Sequence, residues 1–167
     1  MKNIVLILLV LFLLAATCCK DDELTIRKQP YFGDELRTDG YYYRKENNQY
    51  LGFPCFYRDG CLLLMSGRES SLELVDNYIE SVFGYKRNCS GWGIFLIQNE
   101  GLIRLEYYRG SDCGWQVYVE EGTILNDTTF KITTLYRVDG SDKQGRNDIY
   151  HFRQFYPKPD STNTFIK

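Results

Sequence analysis

Histidine occurs once in this chain of 167 residues, at position 151, and methionine only twice. One imidazole leaves little material for acid–base or metal chemistry near neutral pH. Basic residues do not outnumber acidic ones: 20 Lys and Arg stand against 22 Asp and Glu, a formal charge of −2. No cationic field exists to hold a phosphate backbone, so nucleic acid is not an expected partner. Only one long apolar run is present, the 13 residues from Ile4 to Ala16, and a spanning helix needs roughly 20. A Gly-x-Ser-x-Gly elbow, a phosphate-binding loop and a dinucleotide fingerprint are all missing. The acidic residues form neither a hydrolytic pair nor a cluster dense enough for calcium, and Glu120-Glu121 falls at an expected turn. No metal, no cofactor and no catalytic residue is therefore expected, and the chain reads as a non-enzyme.

The N-terminus has the grammar of a signal peptide: Lys2, the apolar run, then small residues before a cysteine. Leu14-Ala15-Ala16-Thr17-Cys18 resembles a bacterial lipobox, in which the cysteine thiol receives a diacylglyceryl group; Cys19 is the alternative acceptor. The residues that follow, Lys20-Asp21-Asp22-Glu23, resemble the export signal of Bacteroidota surface lipoproteins. These resemblances imply a palmitate-bearing lipoprotein anchored in the outer membrane and exposed at the cell surface, the periplasmic face being the alternative. Two or three acyl chains hold stably, whereas one holds only marginally. Loss of residues 1–17 removes Lys2 and leaves a mature chain with 19 basic and 22 acidic residues.

Residues 18–35 read as a lipidated, polar tether, 36–156 as one folded domain, and 157–167 as a polar tail. Aromatics are abundant, with 14 Tyr, 10 Phe and 2 Trp, and they favour strands. Alternation and turn residues predict eight strands: 40–44, 49–57, 61–65, 92–98, 102–108, 115–120, 129–136 and 148–155. Asn47-Asn48, Arg58-Asp59-Gly60, Asn99-Glu100-Gly101, Glu121-Gly122, Asn126-Asp127 and Asp139-Gly140 are the expected turns. Ile103, Leu105 and Tyr107 share one face; Phe130, Ile132 and Thr134 share another. One helix is expected over about 70–83, with a Ser70–Glu73 capping box and Gly84 at its end. Closure removes the two edges that an open eight-stranded sheet would expose, so the expected fold is a mainly β, antiparallel up-and-down barrel or strongly curved sheet. The architecture is similar to that of lipocalins, although Asp39-Gly40-Tyr41 stands where their Gly-x-Trp motif belongs.

Four cysteines remain beyond the anchor, an even number in a chain expected to cross an oxidising compartment. With a turn at 99–101, Cys89 comes within a diagonal step of Cys113, and a disulfide between them is expected. Cys55 and Cys61 flank a turn at a separation near the limit of an unstrained bond and form a second, weaker candidate pair. Neither spacing suits zinc. Tyr41, Tyr43, Trp92, Tyr107 and Trp115 are candidates to line a ligand-binding mouth, with strand packing as the competing use of the same residues. Thr128 and Ser161 lie in triplets that resemble the Asp-(Ser/Thr)-X acceptor of Bacteroidota O-glycosylation. Three functional readings follow: a non-catalytic binding or interaction module with an unspecified ligand or surface partner, a structural or accessory subunit of a cell-surface assembly, and a hydrolytic enzyme.

Overall fold

The computed structural model describes residues 21–82, 89–111 and 114–167. The signal segment, Cys18, Cys19, Lys20, Gly84 and Cys113 lie outside the described residues. The fold is a closed antiparallel barrel of eight strands in sequence order. They are β1 (Gly40–Glu46), β2 (Gln49–Phe56), β3 (Cys61–Glu69), β4 (Trp92–Gln98), β5 (Leu102–Ser111), β6 (Gly114–Asn126), β7 (Thr129–Arg137) and β8 (Gln144–Gln154), with helix α1 (Leu72–Val82) between β3 and β4. Pairing of β1 with β8 in the register Tyr42↔Phe152 closes the sheet. Leu74 N–H donates to Ser71 Oγ at 3.3 Å, so the helix begins one residue later than the Ser70 cap expected from the sequence.

Closure sets an inside and an outside, and side chains alternate between them. On β5, Ile103, Leu105 and Tyr107 point inward as expected, opposite Gly122, Glu120 and Tyr118 of β6. Strand β6 runs through Glu121-Gly122 instead of turning there, with a bulge in its pairing to β7 at that point. On the β7 side that irregularity falls between Ile132 and Thr134, puts Thr134 opposite the outward Glu121 and turns Leu135 inward with Glu120. The expected alternation of Phe130, Ile132 and Thr134 is broken by this one extra residue.

The interior is graded along the axis. Its lower half is filled by Tyr42, Phe56, Phe95, Phe130, Tyr150 and aliphatic neighbours. Phe130 and Tyr150 stack at 4.8 Å, and Tyr42 makes edge contacts with Phe56, Phe130 and Phe152. Tyr31 and Leu36 plug this end, with Leu36 N–H donating to the Tyr31 hydroxyl at 2.7 Å.

A second core lies outside the barrel. Tyr41, Phe53, Cys55, Leu63, Met65, Trp92 and Ile94 form an apolar outer face covered by Val75 and Ile79 of α1 and by Phe155 and Ile166. Asp76 fastens the helix to this face, accepting from Arg153 Nη2 at 2.6 Å, Arg153 Nε at 3.1 Å and the Tyr41 hydroxyl at 2.8 Å. The segments expected to be tether and tail are therefore docked. Their scattered apolar residues cover sheet that would otherwise be wet; Leu24, Ile26 and Phe165 add to the same cluster.

The N-terminal segment descends along the barrel wall. Asp22 N–H donates to Trp115 O at 2.9 Å, Thr25 and Ile26 meet Glu106, Tyr31 N–H donates to Arg58 O, and Arg37 N–H donates to Asp127 O. Glu106 is wholly buried and holds the segment: its carboxylate accepts from Thr25 N–H at 2.6 Å, Thr25 Oγ1 at 2.5 Å, Ile26 N–H at 3.2 Å and Arg104 Nη2 at 2.7 Å. Burial pushes this carboxyl up, but the hydrogen bonds from Thr25, Arg104 and Ile26 outweigh it and hold it below the usual carboxylate range. Glu106→Ala should cost about 2–3 kcal/mol, the worth of a charge-assisted hydrogen-bond set left without its acceptor. Urea titration measures that loss, and cleavage by trypsin after Arg27 and Lys28 should quicken in the variant.

Candidate functional site

Where the inward residues stop being aromatic, the barrel opens. A cavity of about 320 Å³ occupies the upper mouth, lined by Arg44 of β1, Gly52 of β2, Arg68 of β3, Tyr107 and Arg109 of β5, Glu120 of β6, and Arg146, Asp148 and Tyr150 of β8 among others. That volume is at the small end of ligand sites. Each lining group arrives by the same alternation that builds the aromatic plug below. On β8 the inward sequence from the rim downward is Arg146, Asp148, Tyr150, Phe152; on β1 it is Arg44, then Tyr42. Charge sits where water reaches, and rings sit where it does not.

The floor is polar. Glu120 is 8% exposed and accepts a hydrogen bond from the Tyr107 hydroxyl at 3.0 Å. Burial raises its carboxyl above the ordinary carboxylate range, against the lowering effects of Tyr107 and Arg146. Burial also raises the Tyr107 and Tyr150 hydroxyls, which stay protonated at any physiological pH. Gly52 has a left-handed backbone (φ +57) at the irregularity in β2, and a side chain there would come to 3.5 Å from the Tyr150 hydroxyl. The glycine keeps the space over that hydroxyl open.

The rim is ionic. Arg44 Nη1 meets Asp148 Oδ1 at 2.7 Å and Glu46 at 3.7 Å, and Arg146 Nε stands 3.8 Å from Asp148 Oδ2. Arg109 lies over the Tyr118 ring at 5.2 Å. Arg68 and Arg109 are exposed, with no carboxylate partner among the described residues. Four guanidinium groups and three carboxyl groups thus share a mouth in a chain whose overall charge is negative.

Of the five aromatics expected at a mouth, Tyr107 alone lines this cavity. Tyr41 and Trp92 are packed in the outer core, Tyr43 lies on the outside in edge contact with Tyr50 at 5.3 Å, and Trp115 is half-buried at the top of β6, where it covers Gly110. The run Tyr41-Tyr42-Tyr43 carries no alternation, and the residue that turns inward is the middle one. Sequence reasoning missed Glu120 and Tyr150 of the floor and the rim residues Arg44, Arg68, Arg109, Arg146 and Asp148. Placing Glu120 opposite the inward Leu105 would have found the first.

The expected disulfides are also corrected. Cys55, Cys61 and Cys89 are free and buried. Cys55 pairs with Leu63 and Cys61 lies two residues beyond it, so the two thiols are diagonal neighbours on the outer face, out of bonding reach. The β4–β5 pairing runs from Gln98↔Leu102, as expected, to Gly93↔Tyr107, and β4 begins at Trp92, after Cys89. Burial pushes the thiols up to about 12 for Cys55 and about 11 for Cys61 and Cys89, so none is a ready nucleophile. His151 is exposed, beside Tyr43. No group of three or more metal-ligating side chains occurs among the described residues.

Of the residues expected to form an export signal, Asp21 and Asp22 are engaged: Trp115 N–H donates to Asp21 Oδ1 at 2.8 Å and Val117 N–H to Asp22 Oδ2 at 3.0 Å, while Glu23 is exposed. Thr128 is half-buried at the β6–β7 turn, its hydroxyl donating to Asn126 Oδ1 at 2.8 Å; Ser161 is half-buried in the C-terminal segment. No family model matches the chain, and comparison with curated proteins and with solved structures finds no match.

Glu120 gives the site a pH signature. Its raised pKa means that the folded state holds a proton which the unfolded chain has released, so this group's contribution is fully present below the unfolded carboxylate pKa and is lost as pH rises through the folded one. Glu120→Gln should raise the melting temperature at pH 8 relative to wild type, and the gain should vanish at pH 4. Thermal unfolding across that range measures it; an equal gain at both pH values would mean that the carboxyl is not the titrating group.

Proposed function

We propose that the chain is a lipid-anchored, non-catalytic binding protein of the outer membrane whose upper barrel mouth holds a small polar ligand. The observation that carries this reading is the cavity itself: a polar floor of Glu120, Tyr107 and Tyr150 under a rim of arginines. The floor offers hydroxyl and carboxyl groups for hydrogen bonds, and the rim offers guanidinium groups for an anionic function. The buried thiols and the exposed, solitary histidine speak for binding over hydrolysis. The anchor rests on the lipobox-like Leu14-Ala15-Ala16-Thr17-Cys18 and on Lys20-Asp21-Asp22-Glu23 behind it.

A second reading, an accessory subunit of a surface assembly, is favoured by the closed end. Leu102 and Leu125 are exposed at the strand ends opposite the mouth, and Phe32 (89% exposed) and Tyr156 (92% exposed) lie in the segments that flank them. Exposed aromatics of this kind serve as anchors between proteins. Thr128 and Ser161, the candidate acceptors for glycans, belong to the same end.

The two parts of the proposal separate experimentally. Cys18→Ala should move the protein from the membrane fraction to the soluble fraction, and continued sedimentation would transfer the anchor to Cys19. Arg146→Ala with Tyr150→Phe should abolish binding of an acidic-metabolite library measured by ligand-observed NMR, while Phe32→Ala leaves it unchanged. Equal binding by both variants would remove the mouth from the reading.

A further inference from the structure

The N-terminal segment fixes which way the barrel faces. Asp21 is the first described residue, and it is bonded not at the closed end but at the top of β6, where Trp115 N–H donates to its Oδ1 at 2.8 Å. Asp22 continues the attachment through Trp115 O at 2.9 Å, Val117 N–H at 3.0 Å and Arg137 Nη2 at 3.5 Å. Trp115 and Gln116 pair with Gly110 and Arg109, so this attachment is level with the arginine rim of the cavity. From there the segment runs away from the mouth, past Glu106 to Arg58 and Asp127 at the closed end.

Three peptide steps separate Cys18 from Asp21, and they span at most about 11 Å at full extension. A diacylglyceryl group on Cys18 therefore holds the rim beside the bilayer surface. The closed end lies a full strand length away. β6 has 13 residues, about 40 Å of chain at ordinary strand rise before its tilt is allowed for.

We propose that the open mouth faces the membrane and takes the anionic head group of an amphiphile from that membrane, with Arg68 and Arg109 making the first contact. This rests on the anchor and the mouth site proposed above and adds the orientation and the class of ligand. The exposed guanidinium groups of Arg68 and Arg109 lie at the rim with no carboxylate partner among the described residues, as groups that meet an anionic surface should. Arg44 and Arg146, both held by Asp148, would receive the head group, and the floor hydroxyls would reach its polar oxygens. The alkyl chains stay in the bilayer, which accounts for a cavity too small and too polar for them.

The test uses the lipidated protein reconstituted in phosphatidylcholine vesicles that carry a spin-labelled lipid. A fluorescent amino acid replaces Asn48, in the β1–β2 turn at the mouth, or Glu100, in the β4–β5 turn at the closed end. Quenching several-fold stronger at position 48 than at 100 supports the orientation; equal or reversed quenching overturns it. Vesicles containing a photoactivatable phosphatidylglycerol then read the ligand class. Crosslinking to wild type that falls about tenfold or more in Arg68→Glu with Arg109→Glu supports head-group capture. Unchanged crosslinking overturns it, as does complete competition by millimolar inorganic phosphate, which would assign the rim to a free anion. A chain that sediments with membranes equally well with and without Cys18 and Cys19 removes the anchor, and the orientation with it; an anchored chain with its closed end quenched overturns the orientation alone.

Discussion

Pairing of β1 with β8 is the constraint on which the rest of the structure depends. Once Tyr42 stands opposite Phe152 the sheet has no edge, and every strand residue is committed to the interior or to the outer wall. An eight-stranded barrel has room inside for side chains and little else, so the lower aromatic layer fills it completely. The same geometry leaves the outer wall to be dealt with separately. On β1 to β4 that wall is apolar, and it is made dry by α1 and by the two terminal segments. Two cores result, separated by one layer of backbone.

This division explains what the sequence disclosed and what it hid. Strands β5 and β8 carry polar residues on one side over much of their length, and their alternation is readable. In β3 the run Leu62-Leu63-Leu64-Met65 is apolar on both sides because both sides are buried, Leu62 within the barrel and Leu63 under the outer cover. Periodicity then predicts a strand without saying which face is inside. Tyr41-Tyr42-Tyr43 fails in the same manner, and a one-residue slip exchanges interior residues for outer-core ones. Gly122 misleads for another reason. It reads as a turn residue, whereas its role is close approach: a Cβ there would collide with the backbone of β7. The docked segments carry too few apolar residues for a period to stand out: Leu24 and Ile26 join the outer core, and Tyr31 and Leu36 the closed end of the inner one.

Acidic residues mark the points where the architecture departs from simple packing, and they behave in opposite ways. Glu106 and Glu120 lie on neighbouring strands, one on the outer wall and one inside. Glu106 is met by two N–H groups, a hydroxyl and a guanidinium, so its charge is favoured and it can bind the N-terminal segment to the barrel. Glu120 has a single hydroxyl donor and the raised pKa of a carboxyl short of partners. Asp76 resembles the first case, with Arg153 and Tyr41 converging on it. Structural carboxylates in this chain are thus surrounded by donors.

Glu120 departs from that rule at the one place where the interior is open. A leucine would pack against Leu105 and Leu135 at no electrostatic cost, and a glutamine would keep the hydrogen bond to Tyr107 without a proton to hold. Neither barrel closure nor the aromatic plug needs a carboxyl there, because both are complete below it. The unused hydrogen-bonding capacity of Glu120 faces the cavity that it lines, as does the open space that Gly52 leaves above Tyr150. A carboxyl with a single donor bears a desolvation penalty that donor-rich Glu106 and Asp76 escape. The physical cost of Glu120 and the shape of the mouth therefore belong to one arrangement, in which the fold carries a polar, under-partnered group where its interior widens.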